Sequence, residues 1–402
     1  MPPESQGPAA SPGRDTTSAV AATVASSLPV FLVGSVAVQI SAELDLPADR
    51  LGAVVAVYYL GAALSSAPFG RFAERFGGLR TMRWTCVVSA VLLLLIATVA
   101  RSATSLGVLM LAAGIVGAAM QPGSNLYLAR RVPPGWQGRA FGVKQAAVPI
   151  TALIGGLAVP TVALTVGWRW TFVLGAVWAL VTLAALPRPQ ESLAQRRARR
   201  PAVPARIEMA PLLVLALAFA LGISAASALA AFLVSGVVAA GLGNGTAGLL
   251  AALGGAAAAA SRIVTGVRAD RRGRRHLPVV AGMLALGAVG YLGLALDART
   301  GLHLLLVPAV LLSYAAGWGW NGLFNFAVVR THEGAPARAT GIVQTGGRVG
   351  GVVGPAVFGF VVAHGTYSLA WLLTALVTLA SALVMLVGRR MLVAARGAAP
   401  TR

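Results

Sequence analysis

The chain has 402 residues, 57% of them hydrophobic and only 11% charged, with a formal net charge of +21. A soluble domain carries about 25% charged residues, so this composition excludes an ordinary soluble protein and marks a membrane protein. The basic excess does not indicate nucleic acid, because the arginines sit in short loops between apolar runs, as the positive-inside effect requires.

Residues 1–17 are rich in Pro, Ser, Gly and Ala without periodicity and are expected to form a disordered cytoplasmic tail. They are not a signal peptide, since the apolar run that follows is too long and lacks a cleavage context. Twelve apolar runs come next, at 18–40, 50–69, 82–100, 105–127, 140–163, 169–186, 210–236, 246–266, 277–296, 302–327, 340–363 and 367–388. Each is near the ~20 residues that cross ~30 Å of hydrocarbon. The spacing predicts an all-α membrane protein of twelve transmembrane helices. A basic stretch, 187–208, with Arg188, Arg196, Arg197, Arg199, Arg200 and Arg206, reads as a cytoplasmic linker between six-helix bundles at 18–186 and 209–388, and 389–402 as a cytoplasmic tail.

An even number of crossings puts both termini on one side. Only Arg50, Arg101, Arg169 and Arg299 fall on the other, so the termini are expected in the cytoplasm of a cell whose inner or plasma membrane holds the chain. A single cysteine, Cys86, excludes an internal disulfide, and four histidines without a clustered pair point to no metal site; no cofactor is expected.

The loop after the eighth run reads Gly266-Val267-Arg268-Ala269-Asp270-Arg271-Arg272-Gly273-Arg274-Arg275, a basic stretch read as a tight turn. A degenerate copy, Gly70-Arg71-Phe72-Ala73-Glu74-Arg75-Phe76-Gly77-Gly78-Leu79-Arg80, lies 196 positions earlier. At an offset of 199, Arg131 aligns with Arg330, Arg139 with Arg338, Gly142 with Gly341, Gln145 with Gln344 and Gly155 with Gly354. One half of the chain therefore repeats the other.

The paired motif resembles the cytoplasmic loop motif of the major facilitator superfamily, found after helices 2 and 8. Glu74 replaces an aspartate and Gly78 a basic residue in the first copy. The resemblance implies two pseudo-symmetric six-helix bundles, the parallel repeat described for that superfamily. It also implies a gate: Glu74 beside the helix start near Ala339, and Asp270 beside the one near Ala140, where a carboxylate gains roughly 0.3–1 kcal/mol from the amide end. Gly70, Glu74, Arg75, Gly77, Gly266, Asp270, Arg271 and Gly273 are the gating residues so assigned. Phe141-Gly142-Val143-Lys144-Gln145, with Pro149 after it, is similar to helix 5 of cyanate-permease-like members; the glycine–asparagine signature of nitrate porters is absent.

All eleven acids fall in predicted tails or loops, which counts against export of cations. Three bases lie within predicted helices. Arg348 is ten residues past Arg338, about 15 Å deep; Arg262 is eight before Asp270, about 12 Å; Lys144 is five past Arg139, about 7.5 Å, within snorkelling reach. With no acid to pair them, they are expected to face a wet cavity and meet an anion or polar groups. In the family geometry Lys144 and Arg262 face each other across one seam, and Tyr58 or Tyr59 faces Arg348 across the other. Gln39, Gln121, Asn125, Gln145, Trp320, Asn321, Asn325 and Gln344 are further polar candidates for the cavity, with interhelical bonding as the alternative for each amide. Trp318 is expected to pack against lipid or neighbouring helices.

These readings describe a monomeric secondary transporter that moves a small anionic solute by alternating access, either by proton symport or by simple facilitated diffusion. Export of neutral or amphiphilic compounds, as in drug efflux, is the alternative. A membrane enzyme lacks converging acids, histidines or nucleophiles, and a sensor lacks a signalling domain. ATP does not drive the protein directly, as no phosphate-binding loop is present.

Overall fold

The computed structural model describes residues 12–188, 208–269, 276–332 and 336–397, and among these every regular element is helical. Among the described residues eleven helices are long and apolar enough to cross a membrane. A backbone in lipid must satisfy its own polar groups, and helices do so within one segment. The predicted tenth run is broken into Leu306–Ala315 and Asn321–Thr331, with a non-helical turn between. The crossings are numbered one to twelve in chain order below.

The helices outrun the apolar runs that predict them. Crossing 1 begins at Pro12, so residues 12–17, expected in a disordered tail, are its first turns. Crossing 2 spans Ala48–Phe76, and the first motif copy forms its last two turns. The chain reverses at Gly77, whose φ of 89° lies in the left-handed region that favours glycine. Crossing 8, Asn244–Ala269, likewise carries Gly266–Ala269 of the second copy in helix. In its described residues the motif thus begins as a helix end rather than as a turn.

Prolines explain two breaks. Crossing 5 divides into Pro134–Gln145 and Ala147–Ala158, then a π turn at Val159–Ala163. Pro149 has no N–H for the Gln145 carbonyl, and Pro160 has none for Gly156. In crossing 10, Gly319 N–H reaches back to Tyr314 O at 2.9 Å, a wide turn around Gly317 and Gly319.

Bare backbones hold the first six crossings against the last six. A Cβ on Gly52 would come within 2.3 Å of Pro355 O, one on Gly34 within 2.3 Å of Ala230 O, and one on Gly248 within 2.7 Å of Gly156 O. Small residues permit this closeness, which drives association where lipid removes the hydrophobic drive. Toward the arginine-rich end, a Cβ on Gly70, Gly142, Gly266 or Gly341 meets nothing within 4 Å. The seam is packed away from the arginines and free of such contacts at these glycines.

End arginines serve helix ends. Arg83 Nη1 donates to the carbonyls of Leu183, Leu186 and Pro187 at 3.0–3.3 Å, capping crossing 6, Trp168–Ala185. At the opposite end Arg169 joins crossings 1, 3 and 6, donating to Glu43 Oε1 at 2.7 Å and to the Ala97 and Ala100 carbonyls at 3.0 Å. That hydrogen bond from Arg169 holds the Glu43 carboxyl below its ordinary range. A depressed carboxyl contributes stability above its unfolded pKa and loses it as pH falls, though the exposure of this pair keeps the effect small.

Candidate functional site

Polar side chains converge where crossings 4 and 5 meet, and again where crossings 10 and 11 meet. In the first place Lys144 Nζ donates to Gln121 Oε1 and, at 3.1 Å, to Asn125 Oδ1. Gln121 and Asn125 are one helical turn apart, so both oxygens reach one ammonium. Lys144 is 1% exposed, so it does not snorkel to the boundary. In the second place Gln344 Nε2 donates to Asn325 Oδ1 at 2.9 Å, and Asn325 Nδ2 donates to Asn321 Oδ1 at 2.7 Å.

Arg262 lies between these clusters. Its Nη1 donates to Gln145 O at 2.8 Å, the carbonyl that Pro149 leaves without a helix partner. Its Nη2 donates to Trp318 O at 3.3 Å, in the broken turn of crossing 10, and its guanidinium stands 5.5 Å over the Trp318 ring. Ser261 donates to Ala315 O at 2.6 Å in the same break. Arg262 therefore crosses the seam to crossing 5 as expected, but meets a backbone carbonyl rather than Lys144. Its Nε is buried without a partner.

Arg348 is half-buried on crossing 11, and no described residue hydrogen-bonds or ion-pairs with its guanidinium. Of the two tyrosines, Tyr58 turns into the first half, its hydroxyl donating to Ser26 O at 3.4 Å. Tyr59 faces crossing 11: a Cβ on Gly351, one turn from Arg348, would come within 2.7 Å of its ring.

Trp318 packs against neighbouring helices as expected, whereas Trp320 does not stand in a cavity. Trp320 is fully buried against Phe219 and Phe324, and its indole N–H goes to Gly317 O at 2.8 Å, so it lines no cavity. Trp318 stacks on Phe31 of crossing 1 at 5.5 Å and meets Tyr314 edge-on, joining the two halves beneath Arg262. The flanking Gly317 and Gly319 were the sequence signal: they break the helix and turn successive tryptophans opposite ways. Gln39 is half-buried, but both of its amide atoms are buried and unpartnered.

Two acids expected in tails or loops are buried. Asp15 is 3% exposed, in the first turn of crossing 1, and accepts from the Tyr127 hydroxyl and from Arg131 Nε at 3.2 Å. Asp297 accepts from or faces His303 Nδ1 at 3.1 Å at the opposite end. Both belong to helix-end pairs, and neither approaches the three inner bases by a described bond. Glu74 and Arg75 are exposed at the end of crossing 2, where the Arg75 guanidinium lies 5.5 Å over Phe76. Asp270, Arg271 and Gly273 lie outside the described residues, as does most of the 187–208 linker. Among the described residues no cluster of His, Cys, Asp and Glu is arranged to hold a metal.

Residues 19–243 and 212–398 each match the family model described as Major Facilitator Superfamily. A search of curated proteins gives no match. Among solved structures, the chain resembles a bacterial homologue of the human lysosomal transporter Spinster in its inward-facing, occupied conformation. The TM-score is 0.74 at 15% identity, over 93% of this chain and 96% of that one. The inward-facing, unoccupied conformation gives a TM-score of 0.66 at 14% identity, over 95% and 96%. At such identities the likeness concerns the fold alone.

Proposed function

The chain belongs to the major facilitator superfamily and is a transporter of small solutes rather than an enzyme, and from that premise we propose that its solute is a small anion. The observation that carries this reading is Arg348, a half-buried guanidinium on crossing 11 with no described partner. An unpaired base in the bilayer costs about 2.5–3.5 kcal/mol, and a bound anion offsets that cost. Lys144 adds a second positive charge held only by neutral oxygens. Arg262, with two nitrogens bound to carbonyls, contributes charge and a single Nε–H. The test is a thermal-shift screen of the purified protein against formate, acetate, nitrate, phosphate and amphiphilic cations. Stabilisation by anions supports the reading; stabilisation by amphiphilic cations alone removes it.

The amphiphile reading keeps one observation in its favour. An apolar groove of about 450 Å³ runs between crossings 7 and 11, lined by Leu213, Ala216, Leu217, Ile342 and Val349. It would suit a hydrocarbon chain, and the same screen separates the two readings.

The arginine asymmetry supports a cytoplasmic location for both termini and for residues 187–208. Reporter fusions after Arg200 and after Asp297 are expected to report opposite compartments; one shared compartment removes this orientation. The paired motif supports a latch, Glu74 and Asp270 closing the cytoplasmic side through helix-end contacts. Asp270→Asn is expected to raise labelling of cytoplasm-side cysteines and slow turnover while leaving insertion intact. Unchanged labelling and unchanged turnover would remove the latch.

A further inference from the structure

The two polar clusters follow one plan. Gln121 and Asn125 are four residues apart on crossing 4, and Asn321 and Asn325 are four apart on crossing 10, at an offset of 200. In each half a donor 19 residues further on reaches the second amide: Lys144 to Asn125 and Gln344 to Asn325. The helices that bring the donors align at 199, which pairs Gln145 with Gln344. The donors therefore come from neighbouring positions and converge on equivalent acceptors. The clusters also meet at Arg262. It bonds the carbonyl of Gln145, next to Lys144, and a Cβ on Gly322, next to Asn321, would lie 3.9 Å from its Cγ.

The cradles differ in what they hold: one takes an ammonium bonded to both amide oxygens, the other a neutral carboxamide bonded to Asn325, which itself donates to Asn321. Lys144 is buried, and its described bonds go to uncharged oxygens. Its charge is not cancelled locally, and it acts on the site through its field in a medium of low dielectric.

We propose that the Gln121–Asn125 and Asn321–Asn325 pairs are the two sides of one solute site, and that the ammonium cradled in the first sets the charge of the solute accepted. The assignment rests on the anion reading above and names its specificity determinant. If it holds, the charge can be moved from one cradle to the other without losing the site, because Asn325 Oδ1, which accepts from Gln344, offers a second ammonium the counterpart of Asn125 Oδ1.

The experiment is a charge transplant, with K144Q, Q344K and K144Q/Q344K purified beside the wild type. Affinity is read by calorimetric titration with the best stabiliser among formate, acetate, nitrate and phosphate, and folding by the melting temperature without anion. K144Q is expected to weaken anion affinity about tenfold, and K144Q/Q344K to restore most of it. Folded K144Q with wild-type affinity, or a folded double variant that stays as weak as K144Q, overturns the proposal while leaving the anion reading standing. Failure of Q344K to fold also overturns it, since an equivalent cradle accommodates an amine. A wild-type protein that binds none of the four anions overturns both.

Discussion

Arg348→Ala is expected to abolish most anion binding while leaving a folded protein. The guanidinium has no described partner to orphan, so its removal breaks no described hydrogen bond within the fold. Nearby groups are already committed: Gln344, one turn away, donates to Asn325, and Tyr59 packs on Gly351. Alanine also relieves an unpaired charge costing about 2.5–3.5 kcal/mol in the bilayer, so the ligand-free melting temperature should stay level or rise. Arg348→Lys keeps the charge but loses the planar fork that meets two oxygens at once, so its affinity should fall between the two. The measurement is calorimetric titration of the three proteins with the anion chosen by the screen. If Arg348→Ala binds as tightly as wild type, the anion reading is wrong and the amphiphile reading takes its place.

The fold was legible because its constraints are local. A run of about 20 apolar residues must be helical in lipid, and a recurring charged motif at a matched offset marks a repeat. The site was less so, because its side chains are assigned by where helices break and how they rotate. Lys144 and Arg262 were found as bases at depth, but their partners were not. Pro149 frees a carbonyl on Gln145, and only the packing of crossing 8 on crossing 5 brings Arg262 to it. Trp318 and Trp320 are two residues apart, and a turn opened by Gly317 and Gly319 sends one to the seam and the other to the core. Asp15 read as tail because hydropathy dips before residue 18. Its burial depends on Tyr127 and Arg131, more than a hundred residues away. A hydrophobicity profile sees neither long-range pairing nor rotation about a helix axis.

Arg262 separates a structural role from a binding one by a double-mutant cycle. Arg262→Met keeps much of the side-chain bulk and removes every donor, leaving the Gln145 and Trp318 carbonyls without these partners. A buried polar group left unsatisfied costs about 1–3 kcal/mol, so two together should lower the melting temperature by several degrees. Pro149→Ala restores an N–H that can close the helix onto the Gln145 carbonyl. In that background the loss from Arg262→Met should shrink, because one of the two carbonyls no longer depends on the arginine. The expected result is a coupling of about 1 kcal/mol between positions 149 and 262, read from the thermal unfolding of four proteins in one detergent. A loss from Arg262→Met of equal size in both backgrounds would show that the Gln145 carbonyl is not what Arg262 serves. The Trp318 carbonyl would then be its structural partner, and the buried, unpartnered Nε–H its remaining donor for the solute.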